Sequence, residues 1–237
     1  MDIEREQIEF DILFVGGGPA SLAGAIRLMQ LSEEKGIDIE VAIIEKGAEI
    51  GSHALSGAVM NPVALAELLP DYMKRGCPVE KTVRGDEFYF LTPARAFRLP
   101  MVPKYMHNAG FEIISLSRFT RWLGGIAEEM GVNVFSGFAG IEVLFDSEGK
   151  KVIGVRTDDK GLDKEGKPKG NFEPGIDIIA KATVLGEGAR GSLTKKIMDK
   201  IPSARPKMPQ VFETGIKEVI QLPEDHYFKN KIGRAHV

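Results

Sequence analysis

The apolar positions of this chain fall into short unbroken runs that alternate with longer amphipathic stretches, a pattern typical of α/β proteins. Residues 10–15 (FDILFV) and 40–45 (EVAIIE) have the length and composition of buried parallel strands. Between them, residues 20–31 are good helix formers with little polarity, which predicts a helix buried on more than one side. The chain is therefore predicted to begin with a strand, a helix and a second parallel strand.

The same alternation continues to about residue 200. Residues 117–130 form the clearest amphipathic pattern, with Phe119, Leu123 and Ile126 spaced for one helix face. Residues 158–175 are rich in glycine and lysine, which predicts an exposed, mobile hairpin extension. The further predicted elements are strands at 132–135, 141–145, 151–157 and 176–185, and helices at 61–69, 117–130 and 193–199.

A glycine turn joins the first strand to the first helix. Its motif is G-x-G-x-x-S, formed by Gly16, Gly18 and Ser21, with Pro19 well suited to the first helical position. Gly16 permits the tight turn, and Gly18 lets backbone N–H groups approach a pyrophosphate at the positive end of the helix dipole. Ser21 stands where the motif normally has a third glycine, which weakens the match. The turn predicts a dinucleotide site.

An acidic residue, Glu45, ends the second strand, 29 positions after Gly16. The spacing exceeds the value of about 20 in short nicotinamide-binding units, and the long helix and its polar connector account for the difference. An acid at this place can accept hydrogen bonds from the ribose hydroxyls of an adenosine. The alternative, an ordinary surface carboxylate at a strand end, is less consistent with the preceding motif.

Two further segments are candidates for the same site. The loop at 46–59 has no clear period, and Gly51, Ser56 and Gly57 would allow backbone amides to approach a ligand closely. Residues 186–192 (GEGARGS) follow the strand at 176–185 and repeat the logic of strand, glycine turn and helix. We expect both turns to converge on one dinucleotide, with Glu187 facing the cofactor region.

These elements together predict an α/β fold. It is a Rossmann-like dinucleotide-binding domain with a parallel central sheet, a β-hairpin excursion and an inserted antiparallel β region on the substrate side. The inserted region rests on β-rich runs at 86–91 and 112–116, which are separated by a stretch with three prolines. We interpret these runs as one small antiparallel sheet.

Composition and charge narrow the function further. The chain has 237 residues, 43% of them hydrophobic, and 31 basic against 34 acidic residues give a net charge of −3. This balance provides no electrostatic case for nucleic-acid binding. No apolar run approaches the roughly 20 residues of a membrane span, and residues 1–9 are too acidic and too short for a signal peptide. Peripheral membrane contact stays open. The single cysteine, Cys77, rules out an internal disulfide and any four-cysteine cluster built by this chain alone.

Several runs, taken in order, resemble the N-terminal part of one flavoprotein family. They are EKGAEIGSHALSGAVMNPVALAELLPD, FRLP, MHNAG, RWLG, GKPKGNFEPG, GEGARGSLTK and GIKE. The chain resembles the electron transfer flavoprotein-ubiquinone oxidoreductases, within the glutathione-reductase-like flavoproteins, from residue 10 to about residue 219. The resemblance implies FAD, a 4Fe-4S cluster and a quinone, with electrons passing from reduced electron transfer flavoprotein to ubiquinone at a membrane.

The resemblance also implies which residues lie at the FAD. It assigns to the cofactor Gly16, Gly18, Pro19, Ala20, Glu45, Lys46, Gly51, Ser56, Gly57, Gly186, Glu187 and Gly188. Ser21 departs from the family pattern and is counted with the cofactor site because it lies in the same turn. It implies no catalytic side chain and no metal ligand in this chain, because the chemistry belongs to the flavin. The cluster cysteines would lie beyond residue 237. The expected location is the cytoplasmic face of a bacterial inner membrane, or the mitochondrial inner membrane in a eukaryote.

The expected organisation has five parts. The FAD-binding domain would occupy residues 1–83 and 117–200, interrupted by the inserted β-rich region at 84–116. Residues 201–230 would begin the next substrate-side segment, which is incomplete. The last seven residues, 231–237 (KIGRAHV), have no counterpart in the family. They correspond to the translated start of a common sequencing adapter, which predicts a non-native tail.

Two other functions remain open at this point. One is a geranylgeranyl-reductase-like or hydroxylase-like FAD enzyme that takes electrons from NAD(P)H, since the fold alone does not separate these activities. FRLP and MHNAG favour the quinone enzyme. The other, from a different class, is an incomplete, non-catalytic nucleotide-binding fragment. We expect the 237 residues by themselves to be inactive and the full-length protein to be the enzyme.

Overall fold

The computed structural model describes residues 4–54, 57–201, 205–208 and 211. The chain divides into two compact units, Met1–Arg205 and Pro206–Val237, and all the elements described below belong to the first. Ser56 and the predicted tail at 231–237 lie outside the described residues, as does most of the predicted segment at 201–230.

The first unit contains thirteen strands and four α-helices within the described residues, with one short 3-10 helix at Lys104–Met106. The helices are α1 (Pro19–Lys35), α2 (Val63–Leu68), α3 (Leu116–Glu129) and α4 (Ser192–Lys200). The strands are β1 (Gln7–Val15), β2 (Val41–Glu45), β3 (Ala58–Met60), β4 (Val79–Thr82), β5 (Tyr89–Leu91), β6 (Ala96–Arg98), β7 (Glu112–Ile114), β8 (Asn133–Ser136), β9 (Gly140–Phe145), β10 (Val152–Thr157), β11 (Lys160–Leu162), β12 (Pro168–Glu173) and β13 (Asp177–Leu185).

The central sheet has six strands in the order β8-β2-β1-β13-β10-β9. The first four are parallel, and β10 and β9 add an antiparallel hairpin at one edge. The predicted parallel sheet, its third strand at 132–135 and the hairpin excursion are therefore confirmed. Because parallel strands end at the same edge of a sheet, the carboxyl ends of β1, β2 and β13 bring the two glycine turns and Glu45 together.

Each face of the central sheet carries its own apolar core. α1 and α3 pack together on one face, which confirms the amphipathic helix predicted at 117–130. α4 packs on the other face through Leu193, which is fully buried. Alternate side chains of β1 point to opposite faces, so that Phe14 contributes to the first core and Leu13 and Val15 to the second.

The region at 84–116 differs from the prediction of one small sheet. β5 and β6 pair only with each other, whereas β7 lies between β3 and β4 in a separate sheet. The reason is burial: Ile114 of β7 belongs to the first core, while Phe90 of β5 is 62% exposed. The second sheet thus combines strands from both sides of residue 83, and the domain boundaries stay a prediction.

The extension at 158–175 forms the predicted hairpin, β11–β12. Arg5 holds its base, because the Arg5 guanidinium donates to Asp159 (Nη2 to Oδ2, 3.1 Å) and to the carbonyl of Gly175 (2.9 Å). The Arg5 hydrogen bond lowers the pKa of Asp159 below its usual value. Among the described residues, no helix combines the length and the apolar character that a membrane crossing needs.

Candidate functional site

The first glycine turn follows β1 and contacts the second glycine turn, which follows β13. The Gly16 amide donates to the carbonyl of Ile44 (2.8 Å), which ties the turn to β2. The φ angle of Gly16 is +102°, and a Cβ on this residue would lie 2.6 Å from the carbonyl oxygen of Gly186. Both the backbone conformation and the close approach of the second turn therefore require glycine at position 16.

The N-terminus of α1 is open beside this turn. Gly18 is the N-cap, no side chain caps the helix, and its first turn contains no acidic residue. Pro19 occupies the start of the helix, Ala20 is exposed, and a Cβ on Gly18 would meet no atom within 4 Å. Backbone donors and the positive end of the helix dipole can therefore meet an anion here.

Glu45 reaches the glycine turn with both carboxylate oxygens engaged. Oε2 accepts from the Gly17 amide (2.8 Å) and Oε1 from the Gly47 amide (2.7 Å), while the His53 Nδ1 lies 3.4 Å from Oε1. The strand-end acid is therefore fixed next to α1, where a ribose attached to a pyrophosphate would lie. Its role as a ribose acceptor stays a prediction.

Sequence reasoning overlooked the two glycines that hold this carboxylate. A Cβ on Gly17 would lie 3.2 Å from the Glu45 Cβ and 2.3 Å from the Ile50 Cδ1, and one on Gly47 would lie 3.0 Å from Glu45 Oε1. The sequence contained part of the signal for Gly17, because it is the middle residue of three consecutive glycines. Its contact with Glu45 was not visible, because Glu45 is distant from Gly17 in the sequence.

Ser21, the departure from the glycine motif, packs against the second turn. Ser21 is 3% exposed, and a Cβ on Gly186 would lie only 2.0 Å from its Oγ. The Gly186 amide donates to the carbonyl of Val15 (2.9 Å), so the second turn is attached directly to the end of β1. The serine fits because the residue facing it is glycine. The two glycine turns therefore lie in contact, and their convergence on one dinucleotide stays a prediction.

Glu187 points to α4. Its carboxylate accepts from the amides of Ser192 (3.1 Å), Leu193 (3.1 Å) and Thr194 (2.8 Å) and from the hydroxyls of Ser192 and Thr194. Partial burial would raise the pKa of Glu187, but these hydrogen bonds outweigh it and lower the pKa. In the structure the carboxylate of Glu187 caps α4, a role that Gly191, the N-cap position of this helix, leaves vacant. The assignment of Glu187 to the cofactor region stays a prediction.

The loop after β2 has a packing role at one position. Gly51 has φ +85°, and a Cβ there would lie 2.5 Å from the carbonyl oxygen of Ser117 at the start of α3. Lys46 is exposed, and Gly57 and Gly188 have positive φ angles with no atom within 4 Å of an added Cβ. The assignments of these four residues to a cofactor stay predictions.

The arrangement suits a nucleotide with a pyrophosphate and a ribose. An open helix N-terminus can hold the pyrophosphate, the unfilled space at Gly18 lets it approach, and Glu45 offers carboxylate lone pairs beside it. FAD contains these groups, so the residues present fit its adenosine end. In the part of the chain that the structure describes, no group of histidine, cysteine and acidic side chains could hold a metal ion.

Comparison with known proteins identifies close relatives by sequence. The chain is 47% identical over 225 residues to the mitochondrial electron transfer flavoprotein-ubiquinone oxidoreductase of Arabidopsis thaliana, covering 94% of this chain and 35% of that protein. It is 44% identical over 229 residues to the probable enzyme of that name from Acinetobacter baylyi, covering 94% and 40%. The human mitochondrial protein is 38% identical over 233 residues, covering 98% and 38%. The chain thus spans well under half the length of these relatives.

Solved structures share the fold at low sequence identity. A geranylgeranyl bacteriochlorophyll reductase-like protein from Thermoplasma acidophilum matches with a TM-score of 0.54 and 18% identity, over 80% of this chain and 42% of that one. Aklavinone-11 hydroxylase with FAD and aklavinone matches with 0.54 and 18%, over 79% and 34%. These similarities show a Rossmann-like α/β fold. No family model matches the chain.

Proposed function

Since the chain is homologous over most of its length to the electron transfer flavoprotein-ubiquinone oxidoreductases, we propose that it binds FAD at its two joined glycine turns. The observation that carries the proposal is the open N-terminus of α1 beside the anchored carboxylate of Glu45. Neither group alone is specific. Together they match the pyrophosphate and the ribose of one dinucleotide.

Each part of the site has a distinct task in holding FAD. The first-turn amides of α1, with Gly18 and Ala20, bind the pyrophosphate, and Glu45 accepts from the adenosine ribose. Gly186 and Gly188 allow the second turn to approach the cofactor from the end of β13. When bound, the flavin ring supplies the electron transfer, and this chain binds and orients it. No side chain of this chain is proposed as a catalytic acid, base or nucleophile.

The whole protein is proposed to pass electrons from reduced electron transfer flavoprotein to ubiquinone. The names of the relatives support both partners. We assign the 4Fe-4S cluster to protein outside these 237 residues, because four thiolate ligands are needed and the chain has only Cys77. Burial raises the pKa of the Cys77 thiol to about 11, which keeps the sulfur protonated at neutral pH.

The proposed function also includes contact with a membrane surface at the inner mitochondrial membrane or its bacterial counterpart. The β5–β6 hairpin and the segment after it expose apolar side chains next to basic ones, a composition that suits an anionic lipid surface. The exposed apolar residues are Phe90 (62%), Leu91 (58%), Phe97 (49%), Met101 (77%) and Tyr105 (84%), and the basic ones are Arg95, Arg98 and Lys104.

Replacing both aromatic residues that pair across this hairpin, Phe90→Ser with Phe97→Ser, is expected to weaken vesicle binding at least about tenfold. The transfer of each ring from water into the lipid interface would be lost, while neither residue belongs to the two apolar cores of the fold. The measurement is co-sedimentation with vesicles that contain an anionic phospholipid. Met73→Ser, which removes an exposed apolar side chain elsewhere (56% exposed), is the matched control. Equal binding of the double variant and the wild type would exclude this surface.

The function as a whole is tested on the protein in its full natural length. We expect a yellow protein whose flavin is reduced by reduced electron transfer flavoprotein and reoxidised by ubiquinone. Oxidation of NAD(P)H instead, with no response to electron transfer flavoprotein, would assign the protein to a reductase or hydroxylase of the same fold. A colourless protein that takes up no added FAD would contradict the cofactor itself.

A further inference from the structure

The second glycine turn is held between two neighbours. On one side Gly186 contacts the first turn, since a Cβ on Gly16 would lie 2.6 Å from its carbonyl oxygen and Gly186 itself faces the Oγ of Ser21. On the other side the next residue, Glu187, extends its side chain to α4. The turn therefore connects the N-terminal end of α1 to the N-terminal end of α4.

The connection to α4 is built from one side chain. Three backbone amides of the first turn of α4, at Ser192, Leu193 and Thr194, donate to the two oxygens of Glu187. Two hydroxyls add further donors, and no other side chain caps this helix. Leu193, in the same turn, is fully buried in the second core, so the helix end to which Glu187 binds is fixed to the central sheet.

Gly191 makes room for this contact. A Cβ on Gly191 would lie 2.6 Å from Glu187 Oε2 and 2.8 Å from the Glu187 Cβ. The φ angle of Gly191 is −55°, so its backbone conformation suits any residue, and the close approach of Glu187 is the reason for glycine. Glu187 and Gly191, both in the GEGARGS segment, are thus both needed for the contact between the Glu187 carboxylate and α4.

We propose that Glu187 is a positioning residue for FAD, which holds the Gly186–Gly188 backbone against the first glycine turn by capping α4. This rests on the proposed FAD site. Glu187 contacts α4 and not the cofactor. It affects FAD binding indirectly, by fixing the position of the second glycine turn. Gly191 acts with it, because any side chain at position 191 displaces the carboxylate.

The test combines two measurements on the purified chain. Hydrogen exchange of the Ser192, Leu193 and Thr194 amides, without FAD, reports the cap, and titration with FAD by flavin fluorescence reports the affinity. Glu187→Gln puts an amide donor where an oxygen now accepts, and Gly191→Ala displaces an unchanged carboxylate. We expect these amides to exchange faster in both variants and FAD to bind about tenfold more weakly. A tenfold loss of affinity is the effect expected when one charged helix cap is lost.

A weakened α4 with an intact cap is the decisive control. Lys195→Gly lowers the helix propensity of α4 at an exposed position and leaves Glu187 unchanged, so a positioning role predicts wild-type FAD affinity for it. Gly170→Ala and Glu148→Gln, at exposed sites on the two hairpins, control for the substitutions themselves.

The other outcomes overturn the proposal. Equal loss of FAD affinity in Lys195→Gly would show that only the stability of α4 matters. Unchanged exchange in Glu187→Gln with weakened FAD binding would make Glu187 a direct ligand. Wild-type affinity in both cap variants would remove any role in binding. A wild-type chain that binds no FAD would overturn the proposed function as well, and is distinguished from these cases by the titration of the wild type alone.

Discussion

Gly16→Ala is expected to destabilise the protein by about 2–5 kcal/mol and to abolish FAD binding. A residue with a Cβ at φ +102° pays a conformational cost of roughly 1–2 kcal/mol, and forcing the methyl against the carbonyl of Gly186 adds about 1–3 kcal/mol. The obstacle is backbone, which cannot rotate away as a side chain could. The measurement is urea unfolding followed by circular dichroism, with FAD fluorescence as the second readout.

Gly125→Ala is the matched control for this substitution. Gly125 lies inside α3, and an added Cβ there would meet no atom within 4 Å. Alanine is the better helix former by up to about 1 kcal/mol, so this variant should be as stable as the wild type or more stable. If Gly16→Ala also unfolds at the wild-type urea concentration, the two glycine turns are not in contact as described.

Gly18→Ala is expected to leave the fold intact and to weaken FAD binding at least about tenfold. Gly18 has φ −79°, which alanine adopts without strain, and its added Cβ would meet no protein atom within 4 Å. Only a ligand that approaches the N-terminus of α1 closely would collide with the methyl group. A loss of about 1.4 kcal/mol of binding free energy corresponds to the expected tenfold change.

Two measurements separate the cofactor site from the fold in this variant. The melting temperature without FAD should equal that of the wild type, while the dissociation constant from flavin fluorescence rises. Gly170→Ala, on an exposed strand of the β11–β12 hairpin, should change neither quantity. Wild-type FAD affinity in Gly18→Ala would falsify the placement of the pyrophosphate at this helix.

The effects expected for Gly16→Ala and Gly18→Ala therefore have different physical causes. Gly16 is required by protein atoms, since the carbonyl of Gly186 fills the space where a side chain would begin. At Gly18 an added Cβ would enter space that the protein leaves unfilled. A sequence motif treats both as one signature, and only the surroundings of each residue separate the fold requirement from the ligand requirement.

Much of the fold could be predicted because its signals are local. Strand-length apolar runs predicted β1, β2, β8 and β13, and the 3.6-residue period predicted α3, because burial of one face imposes that spacing. The glycine turn at 16–18 and the acid at Glu45 were also visible, since a tight turn and a strand end each restrict residue type.

The region at 84–116 shows where local signals fail. The runs at 86–91 and 112–116 have similar composition, yet β7 pairs with β3 and β4 and buries Ile114, whereas β5 remains exposed. Strand composition indicates that a segment can pair but not with which partner, because pairing depends on residues distant in the sequence. Ile114 pairs with Ala58 and Val79, more than thirty positions away.

The sequence by itself therefore determined the strands of the central sheet, the helices that cover it and the place of a dinucleotide turn, all of which follow from periodicity and backbone conformation. Only the tertiary structure decided what individual side chains do at that turn. The carboxylate of Glu187 caps α4, and Ser21, a departure from the motif, is accommodated by Gly186. Both outcomes depend on contacts between segments that fold together from separate parts of the chain, and a contact of this kind has no period or spacing from which it could be predicted.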